Sequence, residues 1–220
     1  MRRKNKVILF SFLFIVVSIG DLYGVVTGNS TIEAVFKPLI LTLLVIFYLV
    51  SVTKPNFWVV SAMFFSFVGD VFLLFNESYF VFGLGSFLIT HLIYIKISSG
   101  FLKKISTRKL FLVSIPFVLF LVLLIGLIYP NLNELKIPVF AYATIIATFG
   151  VVALLNYVEE KSTENGWYLI GVLVFMISDS LIAIDKFYQT NEIYGVLIMV
   201  TYILAQYLIC KVLIQKNNLD

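Results

Sequence analysis

The sequence predicts an all-α membrane protein, a polytopic bundle of about eight transmembrane helices. The chain has 220 residues, of which 61% are hydrophobic and 13% are charged, whereas soluble domains are nearer to half apolar and a quarter charged. Its mean hydropathy is +1.04. The apolar residues form separate runs, each near the ~20 residues that a helix needs to span a bilayer. We therefore expect residues 1–220 to form a single transmembrane helical domain.

The predicted helices follow one another with short, polar connections that are typical of turns. The candidate spans are residues 7–26, 32–52, 57–75, 80–97, 110–128, 137–157, 167–184 and 193–214. The first span has an alternative interpretation as a signal peptide, because basic residues precede it and the small residues Ser18 and Gly20 stand near its end. Under that alternative the mature chain would begin at Asp21.

The lysines and arginines predict the orientation of the bundle. If the N-terminus is cytoplasmic, all of the 16 basic residues except Lys37, Lys136 and Lys186 lie on the cytoplasmic side. The cytoplasmic set is Arg2, Arg3, Lys4, Lys6, Lys54, Lys96, Lys103, Lys104, Arg108, Lys109, Lys161, Lys211 and Lys216. This asymmetry predicts that both termini are cytoplasmic. The Lys-, Ile-, Phe- and Asn-rich composition is typical of bacteria, so the expected location is the bacterial inner membrane.

Several classes of chemistry and partner are unexpected for this composition. The pI near 9.0 follows from the topology of the basic residues and does not indicate a nucleic-acid partner. Cys210 is the only cysteine and His91 the only histidine, so neither an intramolecular disulfide nor a histidine cluster for zinc is available. We expect no cofactor and no metal site, although a carboxylate-bound ion stays open. Nothing in the sequence indicates the oligomeric state.

Asp70 and Asp179 each lie inside a long apolar run, directly after a small residue. A carboxylate at the centre of a membrane helix costs roughly 2.5–3.5 kcal/mol even on the translocon-insertion scale. The predicted orientation places both aspartates in the outer half of the bundle, at the same level as Asp21 and Lys37. Ionisable groups from four helices at one depth indicate a functional site.

Each of these residues also has a structural alternative. Asp21 stands at a helix end and would alternatively reach the membrane interface, and Lys37 would alternatively anchor to lipid head groups. Asp70 and Asp179 would alternatively serve as hydrogen-bonding groups between helices.

Two neighbouring carboxyl groups in apolar surroundings do not both ionise easily, so a neutral acid beside an ionised base is expected. Such a pair suits the acid-catalysed addition of water to an electron-rich bond, and it equally suits a proton-coupled carrier. A pocket that opens only to the outer leaflet would favour the hydrolase, and a cavity that bridges both faces would favour the carrier.

A weak internal similarity suggests a parallel 4+4 duplication. The third and seventh helices both carry a small residue followed by aspartate, at Asp70 and Asp179. The helices that follow them carry Thr90-His91 and Thr201-Tyr202 at nearly the same spacing, which a parallel repeat would require.

Five segments, in this order, resemble the YhhN family of multi-pass membrane proteins, which includes the TMEM86-like lysoplasmalogenases. They are residues 36–39, 69–74, 82–94, 175–184 and 199–209. The resemblance runs from the second predicted helix to the eighth. It implies hydrolysis of the vinyl-ether bond of a lysoplasmalogen or a related lyso-ether lipid, which releases a fatty aldehyde and a glycerophospho-alcohol.

The resemblance also implies roles for the intramembrane residues. Asp70 and Asp179 are expected to form the catalytic acid–base pair, without an assignment of which one donates the proton. Lys37 is expected to meet the lipid phosphate or to hold a carboxylate ionised. The expected partners are then a lysophospholipid substrate and the lipid bilayer. The substrate-binding residues are expected to be Lys37, His91, Tyr202, Gln206 and Asp21. The alternative is a proton-coupled carrier or lipid-binding membrane protein without catalysis.

Overall fold

The computed structural model describes residues 3–75, 77–102 and 105–218. Across these ranges the chain forms eight α-helices, each long and apolar enough to cross a membrane. They are α1 (Arg3–Thr27), α2 (Ser30–Ser51), α3 (Phe57–Leu74), α4 (Phe80–Ser99), α5 (Thr107–Ile128), α6 (Lys136–Glu159), α7 (Thr163–Phe187) and α8 (Glu192–Asn217). The prediction of a polytopic helical bundle is confirmed, and the protein is a multi-pass membrane protein.

Most helices extend beyond the predicted apolar runs, because polar caps and not the loss of apolarity determine where they begin. The side chains of Asn29, Asn56, Ser106, Ser162 and Asn191 accept hydrogen bonds from backbone N–H groups in the first turns of α2, α3, α5, α7 and α8. These bonds satisfy donors that have no partner inside the helix. At the α1–α2 turn the backbone takes a left-handed conformation at Gly28, where φ is 62°.

The helices pack as an irregular ring. Each of α1–α2, α3–α4 and α7–α8 forms an extensive antiparallel pair, α4 packs against α6, and α6 packs against α7. The ring closes where α8 contacts α1 and α2. Helix α5 packs mainly on α6, carries the highest mean hydropathy of the eight described spans and is the least buried. The helices that meet at the centre are therefore those that carry the polar residues.

The two termini of the described chain lie at the same end of the bundle, which we call the terminal end. There the Arg3 guanidinium donates hydrogen bonds to the backbone carbonyls of Val50 and Ser51, and the Asn218 amide donates to the same Ser51 carbonyl over 3.3 Å. The opposite end, with the α1–α2, α3–α4, α5–α6 and α7–α8 connections, is called the far end. Of the basic residues expected at the cytoplasmic side, Arg2, Lys103 and Lys104 lie outside the described residues.

Candidate active site

The far half of the bundle brings together ionisable groups from four helices. Asp70 of α3 lies within electrostatic reach of Lys37 of α2, Asp21 of α1 and Asp179 of α7. Asp21 in turn interacts electrostatically with Lys37 and Glu33. The groups that the sequence places at one depth are therefore neighbours in space.

Asp70 is held at the contact between α3 and α8. Its side chain is buried, with only 4% of the residue exposed. The Tyr202 hydroxyl donates a hydrogen bond to Asp70 Oδ2 over 2.7 Å, and Gln206 Nε2 donates to the Tyr202 oxygen over 3.2 Å. The preceding Gly69 allows α3 to approach α4 closely, because a Cβ there would lie 2.6 Å from the Phe87 ring.

Asp179 is held in a similar way between α6 and α4. The Tyr142 hydroxyl donates a hydrogen bond to Asp179 Oδ2 over 2.5 Å. His91 Nε2 lies 4.0 Å from the same oxygen. The His91 ring is fully buried and packs edge-on against Phe175, with 4.8 Å between the ring centroids.

The contacts of the two aspartates cross between the two halves of the chain. Asp70 in the first half bonds to Tyr202 in the second half, and Asp179 in the second half faces His91 in the first half. The internal similarity matches Asp70 with Asp179 and His91 with Tyr202. The crossed contacts suit a parallel repeat, and the duplication itself stays a prediction.

Asp21 and Lys37 are less exposed than residues that reach the membrane interface or lipid head groups would be. Asp21 is completely buried, and neither of its carboxylate oxygens has a hydrogen-bond partner among the described side chains. The interpretation of Asp21 as an interfacial residue is therefore wrong, because α2 covers it. Lys37 forms an ion pair with Glu33 at 3.9 Å, and its side chain is only 14% exposed.

An apolar pocket in the far half of the bundle has Asp179 in its wall. Its wall consists of side chains from α3 to α7, and Asp179, Tyr142 and Ser180 are its polar members. The apolar members include Leu84, Leu124, Ile128, Ile146, Met176 and Phe187. This lining suits a segment of a hydrocarbon chain that reaches a carboxyl group.

A second, polar concavity opens at the far end, and we call it the polar mouth. Glu33, Lys37, Asp185 and Lys186 line it, together with residues of α1 and α8. Leu73, Phe80 and Ile182 belong to the walls of both the apolar pocket and the polar mouth. The two spaces are therefore adjacent, one with an apolar wall and the other with charges of both signs.

Some residues of this site could not be selected from the sequence. Tyr142 is one of 12 tyrosines in an aromatic-rich chain, and no motif distinguishes it. Glu33, Asp185 and Lys186 stand near helix ends, where charged residues are ordinarily solvated. Asp185 Oδ1 instead accepts a hydrogen bond from the Asn191 backbone N–H over 3.2 Å, so it also fixes the α7–α8 turn.

Fold and site together define a class of protein, a helical membrane protein with two intramembrane carboxyl groups near an apolar pocket and a charged mouth. Comparison with known sequences gives the family. The YhhN family model matches residues 32–213, and the chain belongs to that family. The resemblance inferred from the five segments is therefore confirmed.

Curated proteins that are similar to this sequence are named lysoplasmalogenases. Proteins of that name from Mycobacterium bovis and Mycobacterium tuberculosis are each 29% identical over 191 residues, which cover 83% of this chain and 70% of theirs. Lysoplasmalogenase TMEM86A of Bos taurus is 32% identical over 165 residues, which cover 70% of this chain and 64% of the bovine protein. No solved structure matches.

Proposed function

We propose that this protein is a membrane-embedded hydrolase that cleaves the vinyl-ether bond of lysoplasmalogen or a related lyso-ether lipid. The observation that carries the proposal is the position of Asp179, a carboxyl group in the wall of a mainly apolar pocket, within electrostatic reach of the buried Asp70. The names of the curated relatives support the same reaction. The products would be a fatty aldehyde and a glycerophospho-alcohol.

The adjacency of the two spaces supports a single binding mode for a lysolipid. The alkenyl chain would occupy the apolar pocket, and the glycerophosphate group would occupy the polar mouth, where Lys37 would meet the phosphate. The vinyl-ether bond joins these two parts of the lipid. In this binding mode it would lie at the junction of the two spaces, close to the aspartates.

The proposed chemistry uses the two carboxyl groups in the manner of an inverting glycosidase. The neutral carboxyl donates its proton to the vinyl carbon farther from the ether oxygen, which leaves an oxocarbenium-like cation. The ionised carboxylate then removes a proton from water as the water oxygen bonds to the cationic carbon. The product of this step is a hemiacetal.

Collapse of the hemiacetal restores the starting protonation states. The carboxyl that gained a proton from water gives it to the departing glycerol oxygen, and the first carboxylate removes the proton of the hemiacetal hydroxyl. The bond between carbon and the glycerol oxygen breaks, and the aldehyde forms. Two carboxyl groups are therefore sufficient for the whole cycle.

Geometry favours Asp179 as the first proton donor and Asp70 as the group that activates water. Asp179 lines the pocket for the chain, whose carbon receives the proton, whereas Asp70 accepts a hydrogen bond from Tyr202, which in turn accepts one from Gln206. Tyr142 and Tyr202 would fix the orientations of the two carboxyl groups. His91 would help to position Asp179, since it lies 4.0 Å away.

We further propose the bacterial inner membrane as the location, with both termini in the cytoplasm. The described basic residues in the α2–α3, α4–α5 and α6–α7 regions and near the termini support this orientation, because they lie at the terminal end. The site in the far half would then receive lysolipid from the outer leaflet.

The decisive experiment measures aldehyde release by the purified protein in detergent micelles. The substrate is a lysolipid with a vinyl-ether chain, and the matched control is the same lysolipid with a saturated alkyl ether. Aldehyde from the vinyl ether alone is expected, because only the vinyl carbon can accept the initiating proton. A protein that releases no aldehyde, yet carries protons or lipid across liposome membranes in response to a pH gradient, would be the non-catalytic carrier instead.

A further inference from the structure

The terminal half of the bundle contains buried polar atoms that the proposed reaction does not use. The hydroxyls of Tyr94 and Tyr168 and the amide oxygens of Gln206 and Asn165 are buried without a hydrogen-bond partner among the described residues. The four residues are at most 2% exposed. Buried polar atoms in proteins are almost always hydrogen-bonded, to protein or to ordered water. Buried polar atoms without protein partners are the positions at which internal water is expected.

These residues lie in series from the aspartates toward the terminal end. Tyr202, which bonds Asp70, packs edge-on against Phe175 with 5.6 Å between the ring centroids. Farther along, Tyr94 and Tyr168 both pack against Phe149, with ring centroids 5.7 and 6.1 Å from its centroid. The Tyr168 hydroxyl in turn faces the Ser98 hydroxyl, although the two do not meet ordinary hydrogen-bond geometry. We call this series, with Gln206 beside it, the polar column.

The polar column continues to the surface at the α6–α7 connection. Asn156 Nδ2 donates to the Ser98 carbonyl over 3.0 Å, and Asn165 Nδ2 donates to the carbonyls of Asn156 and Glu160 over 3.2 and 2.8 Å. Glu160 is exposed. Asn165 and Asp179 both belong to α7, and at 1.5 Å per residue the column spans about 21 Å.

Helical periodicity explains how one series of polar groups forms. On α4, His91, Tyr94 and Ser98 follow one another at intervals of three and four residues, and on α8, Tyr202 and Gln206 do the same. Such residues share one face of a helix. Both faces point into the ring, where these residues are buried beside Phe149 and Phe175.

The proposed reaction needs a water molecule at a place that the lipid itself blocks. With the chain in the apolar pocket and the head group in the polar mouth, both approaches from the far half are occupied. We propose that the polar column holds a file of water molecules and delivers the hydrolytic water to Asp70 from the terminal end. The delivery role rests on the proposed function, and the presence of water does not.

The presence of water is tested by hydroxyl-radical footprinting of the full-length protein in nanodiscs, without substrate. X-ray radiolysis generates radicals from bound water, so buried side chains beside water are oxidised and dry ones are not. Tyr94 and Tyr168 are expected to be oxidised several times faster than Met63, which is equally buried and belongs to α3. Methionine is the more oxidisable side chain, so this control is demanding. Oxidation of both tyrosines no faster than Met63 would overturn the proposal.

The delivery role is tested with Tyr94→Phe and Tyr168→Phe, which remove one hydroxyl each and leave the ring in place. Each variant is expected to lower kcat for vinyl-ether hydrolysis about tenfold and to leave KM unchanged, since neither hydroxyl lies in the pocket or the mouth. Tyr207→Phe is the matched control, because Tyr207 is half-buried on α8 and stacks on Phe14 outside the column.

Thermal stability separates this role from a merely structural one. A hydroxyl bonded to water stabilises the fold, so Tyr94→Phe is expected to lower Tm by a few degrees, whereas removal of a truly unpaired hydroxyl would raise it. A raised Tm, or fast oxidation of both tyrosines with unchanged kcat in both variants, would overturn the delivery of water by the column. Absence of aldehyde release from the wild-type protein would contradict the proposed function alone, because footprinting uses no substrate.

Discussion

Asp70 of α3 and Asp179 of α7 stand in similar short sequence elements, yet their surroundings differ. Both accept a hydrogen bond from a tyrosine of another helix. Asp179 forms part of the wall of the apolar pocket, whereas Asp70 does not line that pocket and lies near Lys37 and Asp21. The difference teaches that two similar sequence elements can have different surroundings, one at the apolar pocket and the other beside charged groups, as the proposed division between a proton donor and a water-activating base requires.

Removal of either carboxyl group should produce the largest effect. Asp70→Asn and Asp179→Asn are each expected to lower kcat for aldehyde release about 10²- to 10⁴-fold, the usual range for loss of general acid–base catalysis. Glu159→Gln is the control, since Glu159 pairs with Lys109 at 2.6 Å near the terminal end. Wild-type rates in both aspartate variants would contradict the acid–base pair.

Alanine variants of the two aspartates, Asp70→Ala and Asp179→Ala, should differ in how their activity responds to added formate. Formate is a small carboxylate that can replace a missing base, so it is expected to restore part of the activity of Asp70→Ala. It should not restore Asp179→Ala, because formate at neutral pH is ionised and has no proton to donate to the vinyl carbon. The opposite pattern would exchange the two assignments. The measurement is aldehyde release as formate concentration is increased.

Loss of a tyrosine hydroxyl should be the next largest effect. In the proposed mechanism Asp179 becomes charged as it gives up its proton, and Asp70 is charged at the start. A hydrogen bond to a charged group contributes about 1.5–3 kcal/mol, so Tyr142→Phe and Tyr202→Phe are expected to lower kcat about 10- to 100-fold. Tyr23→Phe, at an exposed position of α1, should keep the wild-type rate. If Tyr142→Phe alone lowers kcat, the Tyr202 hydroxyl only stabilises the contact between α8 and α3. The two aspartates would then be less alike than their hydrogen bonds indicate.

Most of the fold was predictable from the sequence, because it follows from one strong physical requirement. A helix in hydrocarbon must be apolar over its whole length, so the eight spans stand out from their polar connections. The aspartates were predictable for the same reason, since each interrupts an apolar run at high cost. Depth could also be derived, because short connections force neighbouring helices to alternate in direction.

The remaining parts of the site depend on which faces of the helices meet, and the sequence does not contain that information in a readable form. Tyr142 looks like any other aromatic residue of a membrane helix, and its role appears only when α6 meets α7. The same holds for Tyr94 and Tyr168, which the sequence presents as ordinary packing residues. For Asp21 the sequence left an interfacial location open as an alternative, because its burial depends on α2.

Substitution of Lys37 should have a moderate effect on substrate binding. Loss of a charged contact to a phosphate weakens binding by about 1.5–3 kcal/mol, so Lys37→Gln is expected to raise KM at least tenfold with little change in kcat. Lys136→Gln is the matched control, because Lys136 also lies at the far end but contacts Tyr129 and not the mouth. A lower kcat at unchanged KM would instead mean that Lys37 holds Asp70 ionised.

The smallest effects should come from substitution of the residues that directly precede the two aspartates, Gly69 and Ser178. These substitutions are expected to lower the thermal stability of the fold. Gly69→Ala would place a Cβ 2.6 Å from the Phe87 ring, an overpacking that costs about 1–3 kcal/mol. Ser178→Ala would remove the hydrogen bond to the Ile198 carbonyl, which contributes about 0.5–1.5 kcal/mol. Thermal unfolding in detergent measures both losses, and Gly85→Ala is the control because a Cβ at Gly85 meets no atom within 4 Å.

That order of effects follows from the different ways in which the two helix pairs approach each other. At Gly69 the approach of α3 to α4 leaves no space for a methyl group, whereas at Ser178 the α7–α8 contact has room for a hydroxyl and uses it as a bond. A larger loss of Tm for Ser178→Ala than for Gly69→Ala would show that Phe87 can move aside. In that case the close contact of α3 with α4 would not be what fixes the position of Asp70.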